Sequence, residues 1–268
     1  MKMWRCLRRE IDVIPTVLVI GGSDSSGGAG ITRDLHTLHE LNVRGVAVIT
    51  AVTAQTHTSV QSINFIPRGT IHDQLETALA SNTIQAIKIG MLGSRRAVEA
   101  VALSLPPRSE VPIVLDPVLA ASSGRALVDE DARVAIIELL FPRVTLVTPN
   151  ALEAASLLGL PVVTNSAALE DYAKRLLDDG PYAVLVKGGH AEGAESVDLL
   201  ALPESDVVKL RGPRLPGSQR GTGCALASAI AAGLAYELPL VNACREAKRY
   251  VTRLFEHAIA VSGETRFV

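Results

Sequence analysis

The chain has 268 residues, 48% of them hydrophobic and 20% charged, enough apolar material for one large α/β domain or two small ones. A net charge of −2 without long runs of like charge leaves no footprint for nucleic acid or an anionic membrane, and 3% aromatic content offers little for stacking bases. Cys6, Cys224 and Cys244 are far apart and odd in number, so they read as free thiols of a reducing compartment.

The basic N-terminus, MKMWRCLRREIDVIPTVLVI, is interrupted by Glu10 and Asp12 and does not read as a secretory signal. The apolar stretch 224–236 is too short to span a bilayer. The expectation is a soluble cytoplasmic protein with no nucleic-acid or membrane partner.

Short β-branched apolar runs recur at 17–20, 46–54, 86–92, 111–119, 145–148 and 183–187. Their continuous apolar character predicts strands buried on both faces. Helical periodicity lies between them at 71–81, 95–105, 129–140, 151–158 and 166–179. Such alternation predicts βαβ units and a mostly parallel sheet. Residues 197–215 break the pattern and read as a short hairpin and loop, followed by two helices at about 223–236 and 239–261. No linker, repeat or low-complexity segment divides residues 1–268, so a single domain is expected.

The first strand runs into GGSDSSGGAGITRDLHTL, residues 21–38. A strand, glycines and then a helix often hold a phosphate, yet this segment fits neither common template. It lacks the Lys-Ser/Thr ending of a P-loop, and Ile31-Thr32-Arg33 stands where a dinucleotide fingerprint needs its third glycine. Asp24 and Asp34 put negative charge around the loop, which suits a hydroxyl or amine ligand better than a polyphosphate. The segment is either a tight turn with a helix start or an acceptor site.

Polar residues recur at the carboxyl ends of the other strands, where parallel sheets bind ligands: Gln55, Gly90-Met91, Asp116, Asn150 and Lys187. Asp116, before Pro117, is a magnesium partner or a turn residue. Asn150 and Glu153 share one face of a helix start; as N-cap and N3 they also fit a capping box. Lys187, followed by Gly188-Gly189-His190, is a phosphate-binding point charge or a solvated strand end. Gly221-Thr222-Gly223-Cys224 opens a helix of small residues whose free N–H groups form an anion pocket. Cys224 in that first turn is expected to have a lowered thiol pKa, or else is a buried structural cysteine.

Taken in order, GGSDSSGGAGITRDL, VITAVTAQT, IKIGML, VLDPV, TLVTPNALEA, LVKGGH and GTGCALASAIAAGLA resemble the hydroxymethylpyrimidine/phosphomethylpyrimidine kinases of thiamine biosynthesis, over about residues 17–254. The resemblance implies a ribokinase-like three-layer αβα sandwich. It implies ATP and Mg2+ as cofactors, and phosphorylation first of the hydroxymethylpyrimidine, then of its monophosphate. Gly22, Ala29, Asp34, Gln55, Met91 and Val118 match pyrimidine-contacting positions. Asn150, Glu153, Lys187, Gly221, Thr222 and Gly223 match the ATP and phosphate site. Cys224 and Lys187 match catalytic positions, with Asp116 and Glu153 at the metal. Three residues depart from the family's usual pattern: Arg220 where it has His, Ser122 where it has Lys or Thr, and Thr56 where it has Asn. Folds of this kind often pair through exposed faces, which allows for a homodimer. The alternatives are a pyridoxal kinase of the same superfamily and a catalytically silent pyrimidine sensor.

Overall fold

The computed structural model describes residues 13–56, 58–121, 124–188, 195–215 and 220–262. Strand β1 (Thr16–Asp24) lies inside the sheet, parallel to β2 (Arg44–Gln55) on one side and β4 (Ala86–Ile89) on the other. Strands β5 (Ile113–Leu115), β6 (Leu146–Val147) and β7 (Ala183–Val186) continue the parallel register beyond β4. Antiparallel β3 (Val60–Phe65) closes the β2 edge, while β8 (Glu195–Ala201) and β9 (Val208–Pro213) form a hairpin beyond β7. The strand order is β3-β2-β1-β4-β5-β6-β7-β8-β9.

Successive β1 side chains fall into different cores. Val17 and Val19 pack on one face with helices α1 (Gly30–Glu40), α7 (Thr222–Ala235) and α8 (Leu240–Ser262). Leu18 and Ile20 pack on the other with α2 (Arg68–Ser81), α3 (Arg95–Ser104), α4 (Glu130–Ala135), α5 (Ala151–Leu158) and α6 (Ser166–Asp178). Because strand side chains alternate faces, a strand in the middle layer must be apolar at every position. The result is the expected αβα sandwich with a mostly parallel sheet.

Several expected bounds move for local reasons. The run 111–119 yields only Ile113–Leu115, since Pro112 and Pro117 flank it and cannot donate to a ladder. The run 86–92 ends at Ile89, and the chain turns through Gly93 at φ +78°. The helix expected at 129–140 is α only to Ala135, then widens to a π-turn over Ile136–Leu140. Strand β3 was not expected: VQSINF mixes polar and apolar residues on both of its faces and forms an edge of the sheet.

Sheet order reverses direction at β1, with β2 on one side and β4 on the other. Ligands in such sheets bind at the carboxyl ends of the strands flanking that reversal. Gly21-Gly22 and Gly90-Met91 occupy this position.

Candidate active site

The candidate acceptor loop leaves β1 after Asp24 and enters α1 at Gly30. It is built by backbone contact: a Cβ on Gly30, at φ +60°, would stand 2.3 Å from the Gly22 carbonyl oxygen. Asp24 organises the turn, accepting from the Ser26 amide at 2.9 Å and hydroxyl at 2.8 Å through Oδ1, and from the Ala29 amide at 2.9 Å through Oδ2. A Cβ on Gly22 would touch Met91 Sδ at 3.1 Å, so Gly22 and Met91 share one floor. Met91, Ala51 and Leu127 form a small apolar cluster against which Val118 packs. Gln55 reaches the same loop through its backbone, which exchanges hydrogen bonds with Ser25 Oγ at 3.0 Å in both directions. Gly22, Ala29, Gln55, Met91 and Val118 therefore lie on contiguous walls.

Asp34 lies deeper than its loop. Its carboxylate is fully buried, accepting from Lys88 Nζ at 2.8 Å and Ser228 Oγ at 2.8 Å. Asp24 is likewise consumed, by its own loop and by Arg220 at 2.9 Å. Each carboxylate is paired with a cation of the protein, which offsets the negative charge read in the sequence. Lys88 escaped the sequence reading, although a lysine inside the apolar strand AIKI is itself a signal, since a buried ammonium needs a partner. Burial disfavours its charge, but Asp34 outweighs that and holds the ammonium above the ordinary lysine range. Burial pushes the Asp34 carboxyl up from its usual range, against the pull of Lys88.

The opposite wall is the start of α7. Gly221 caps the helix at φ +77°, and a Cβ there would fall 2.1 Å from the Gly28 carbonyl oxygen. A Cβ on Gly223 would meet Lys187 Nζ at 3.2 Å and Asp116 Oδ2 at 3.5 Å. The helix N-terminus, the positive end of its dipole, thus faces an ammonium and a carboxylate. Lys187 Nζ donates to Asp116 Oδ1 at 2.8 Å and lies 3.7 Å from Glu153 Oε2. Thr148 Oγ1 donates to the same Asp116 oxygen at 3.2 Å. The neighbouring carboxylates hold the Lys187 ammonium above its ordinary range despite burial. Asn150 and Glu153 form the capping box, the Glu153 amide donating to Asn150 Oδ1 at 2.9 Å and the Asn150 amide to Glu153 Oε2 at 2.8 Å. The capping-box reading holds, and the box leaves Glu153 beside Lys187. Burial raises the Glu153 carboxyl to about 7, with Lys187 opposing and Asp116 adding to the rise.

Cys224 corrects a second expectation. Its thiol is not lowered but pushed up to about 11, chiefly by desolvation; Lys88 pulls it down, Asp34 and Asp116 push it up, and an amide hydrogen bond from Gly30 gives a small lowering. A helix start favours an anion only where solvent or a cation reaches it, and here the thiol is packed against the acceptor loop. At neutral pH it is a thiol.

Beside this wall opens a pocket of about 580 Å³, between the β8–β9 hairpin, α7 and α8. Lys187, Thr222 and Gly223 form its inner end, and Leu215, Leu226, Val251 and Phe255 give it apolar sides. The buried pair Lys248–Asp198, at 2.8 Å, lies on its wall, and Asp198 Oδ1 accepts the Gly188 amide at 2.9 Å. Sequence reading missed this pair because the two residues are fifty positions apart and neither belongs to a motif. Ser122 and His190 lie outside the described residues. Among the described residues no cluster of three His, Cys, Asp or Glu could hold a metal ion, and no helix is long and apolar enough to cross a membrane.

Comparison with known proteins agrees with this fold. The family model described as phosphomethylpyrimidine kinase matches residues 24–267. A hydroxymethylpyrimidine/phosphomethylpyrimidine kinase of Rhizobium meliloti (strain 1021) is 41% identical over 235 residues, covering 87% of this chain and 88% of that protein. The crystal structure of phosphomethylpyrimidine kinase from Clostridium difficile 630 superposes with a TM-score of 0.77 at 33% identity, over 89% of this chain and 98% of that one. The pyridoxal kinase from Staphylococcus aureus in complex with AMP-PCP gives a TM-score of 0.81 at 30% identity, over 90% and 88%.

Proposed function

The chain belongs to the phosphomethylpyrimidine kinase family and is a phosphotransferase, and we propose from this how its cleft works. ATP lies along the 580 Å³ pocket with its terminal phosphate at the α7 N-terminus. The acceptor is 4-amino-5-hydroxymethyl-2-methylpyrimidine and then its monophosphate, in thiamine biosynthesis, lying between Gly22, Gln55, Met91 and Val118. The observation that carries the reading is the meeting of two walls: the Gly221 turn touches the Gly28 carbonyl while Gly223 faces Lys187 and Asp116. Acceptor and phosphoryl group are thereby brought together in one crevice.

Phosphoryl transfer rests mainly on positioning and charge neutralisation. The amides of Gly221, Thr222 and Gly223 receive the moving group, and Lys187 offsets its charge. Asn150 and Glu153 set the start of α5 beside them. Cys224, neutral at pH 7, orients the acceptor oxygen with its thiol, which suits a loose transition state in which the hydroxyl proton passes late to an oxygen of the transferred phosphoryl group.

Asp116 and Glu153 converge on Lys187, and these two carboxylates would hold a magnesium ion whose remaining ligands are phosphate oxygens and water. When bound, magnesium supplies positive charge to the phosphates. A cytoplasmic setting belongs to the same proposal and rests on the free thiols Cys224 and Cys244.

The test is phosphorylation with mass detection, offering the hydroxymethylpyrimidine, its monophosphate and pyridoxal side by side with MgATP. Two successive mass gains of one phosphoryl group on the pyrimidine support the proposal. Phosphorylation of pyridoxal alone would replace it with the pyridoxal kinase reading, and binding without turnover with the sensor reading.

A further inference from the structure

Arg220 immediately precedes the Gly221 turn, so its own backbone belongs to the phosphoryl side of the cleft. Its side chain crosses to the acceptor side. Nη2 pairs with Asp24 Oδ2 at 2.9 Å, and Nη1 donates to Ser26 Oγ at 2.8 Å and to the Thr56 carbonyl at 2.8 Å. One guanidinium thus joins three segments: the acceptor loop through Asp24 and Ser26, the end of β2 beside Gln55 through Thr56, and the anion-binding turn through the chain itself. The pairing is not a casual surface contact. Asp24 is buried, its side chain 3% exposed, and that of Arg220 is 16% exposed. Asp24 Oδ2 serves Arg220 and the Ala29 amide together. Behind the side chain the two loops touch backbone to backbone at Gly221 and Gly28. A shift of either loop is therefore transmitted to the other.

We propose that Arg220, acting through Asp24, is a positioning residue that couples the acceptor pocket to the anion-binding turn of α7. The proposal rests on the phosphotransferase reading. Its physical basis is geometric: Arg presents a planar fork of fixed donors, which can serve a carboxylate and a carbonyl at once, and Lys cannot reproduce that. An acceptor that orders residues 24–29 then also orders Gly221, and a nucleotide that orders Gly221 prepares the acceptor loop. Two ligands joined by such a link bind each other's complex more tightly, by equal factors.

The experiment titrates the hydroxymethylpyrimidine by calorimetry with and without AMP-PCP, in the parent, Arg220→Met, Asp24→Asn and the double variant. Steady-state kinetics and thermal unfolding accompany it. In the parent, AMP-PCP tightens pyrimidine binding roughly tenfold, a typical coupling. Arg220→Met and Asp24→Asn each reduce that factor below about twofold, raise the pyrimidine KM and lower kcat, and the double variant is no worse than the poorer single. Arg220→Lys regains part of kcat but not the full coupling. Absence of coupling in the parent, coupling retained in Arg220→Met, or independent multiplying effects of the two substitutions would overturn the proposal. Failure of both Arg220 variants to fold would also overturn it, in favour of a purely structural contact. A parent that binds both ligands without turnover refutes the activity instead, and the binding data still decide the role of Arg220.

Discussion

Lys88→Met isolates the buried pair beneath the cleft. Lys88 and Asp34 are each 1% exposed and their charged atoms are 2.8 Å apart. Removing the ammonium leaves a carboxylate in the core with the Ser228 hydroxyl as its remaining partner. Breaking a buried pair from one side costs about 3–5 kcal/mol. At about 2–4 °C per kcal/mol in a chain of this size, the midpoint should fall by about 6–20 °C. Replacing both partners, as Lys88→Met with Asp34→Leu, removes the orphan charge and leaves the Ser228 hydroxyl unpaired at about 1–3 kcal/mol. The double variant should therefore be more stable than Lys88→Met alone. The deficit also has a pH sign. Asp34 already has a raised carboxyl, and without Lys88 it rises further. A raised carboxyl binds its proton more tightly folded than unfolded, so the deficit of Lys88→Met is small below the ordinary aspartate range and grows as pH rises through the folded value. Urea unfolding at pH 4, 5.5 and 7 reads all of this. A loss below about 1 kcal/mol at pH 7, or a double variant no better than the single, would refute the reasoning.

Cys224→Ala should lower kcat by about 100-fold with the pyrimidine still bound, since the group that orients the acceptor oxygen is lost; calorimetry and initial rates on one preparation check it. Gln55→Leu should weaken pyrimidine binding roughly tenfold and leave AMP-PCP binding unchanged, as expected for one unpaired polar group in a ring-binding site, again read by titration. Glu153 has a carboxyl raised to about 7, so its folded form favours the proton. Its contribution to stability is present below the ordinary glutamate range and is lost as pH rises through about 7. Glu153→Gln should flatten that fall, which unfolding midpoints at pH 4.5, 6 and 7.5 measure.

The layers and the sheet were legible because they rest on periodicity. Consecutive apolar residues at 17–20 and 183–186 fit strands between two helix layers, and NALEAASLL carries its capping box, Asn150 with Glu153, in the sequence, so α5 was expected to the residue. The partners of charged residues were not legible. Asp24 and Asp34 look alike in the sequence, two carboxylates near glycines, and nothing local tells that Arg220 and Lys88 will neutralise them. The Cys224 thiol failed for a related reason. A helix start predicts the local field, but desolvation is set by segments far away in the chain, here the acceptor loop. Motif order located the site. The identity of each cation's partner, which fixes the electrostatics, emerged only in three dimensions.

The contact between the Gly221 turn and Gly28 also bears on how the protein acquires activity. Arg220 and Ser26 are 194 positions apart, and α7, whose first amides are proposed to receive the phosphoryl group, lies near the end of the chain. During synthesis the acceptor loop emerges first and has no catalytic counterpart until α7 has left the ribosome and docked across β1 and β4. Closing so long a loop is slow compared with forming helices and neighbouring strands. In refolding, helical signal should therefore return before phosphotransfer does, and enzyme activity serves as a reporter of the last long-range docking step.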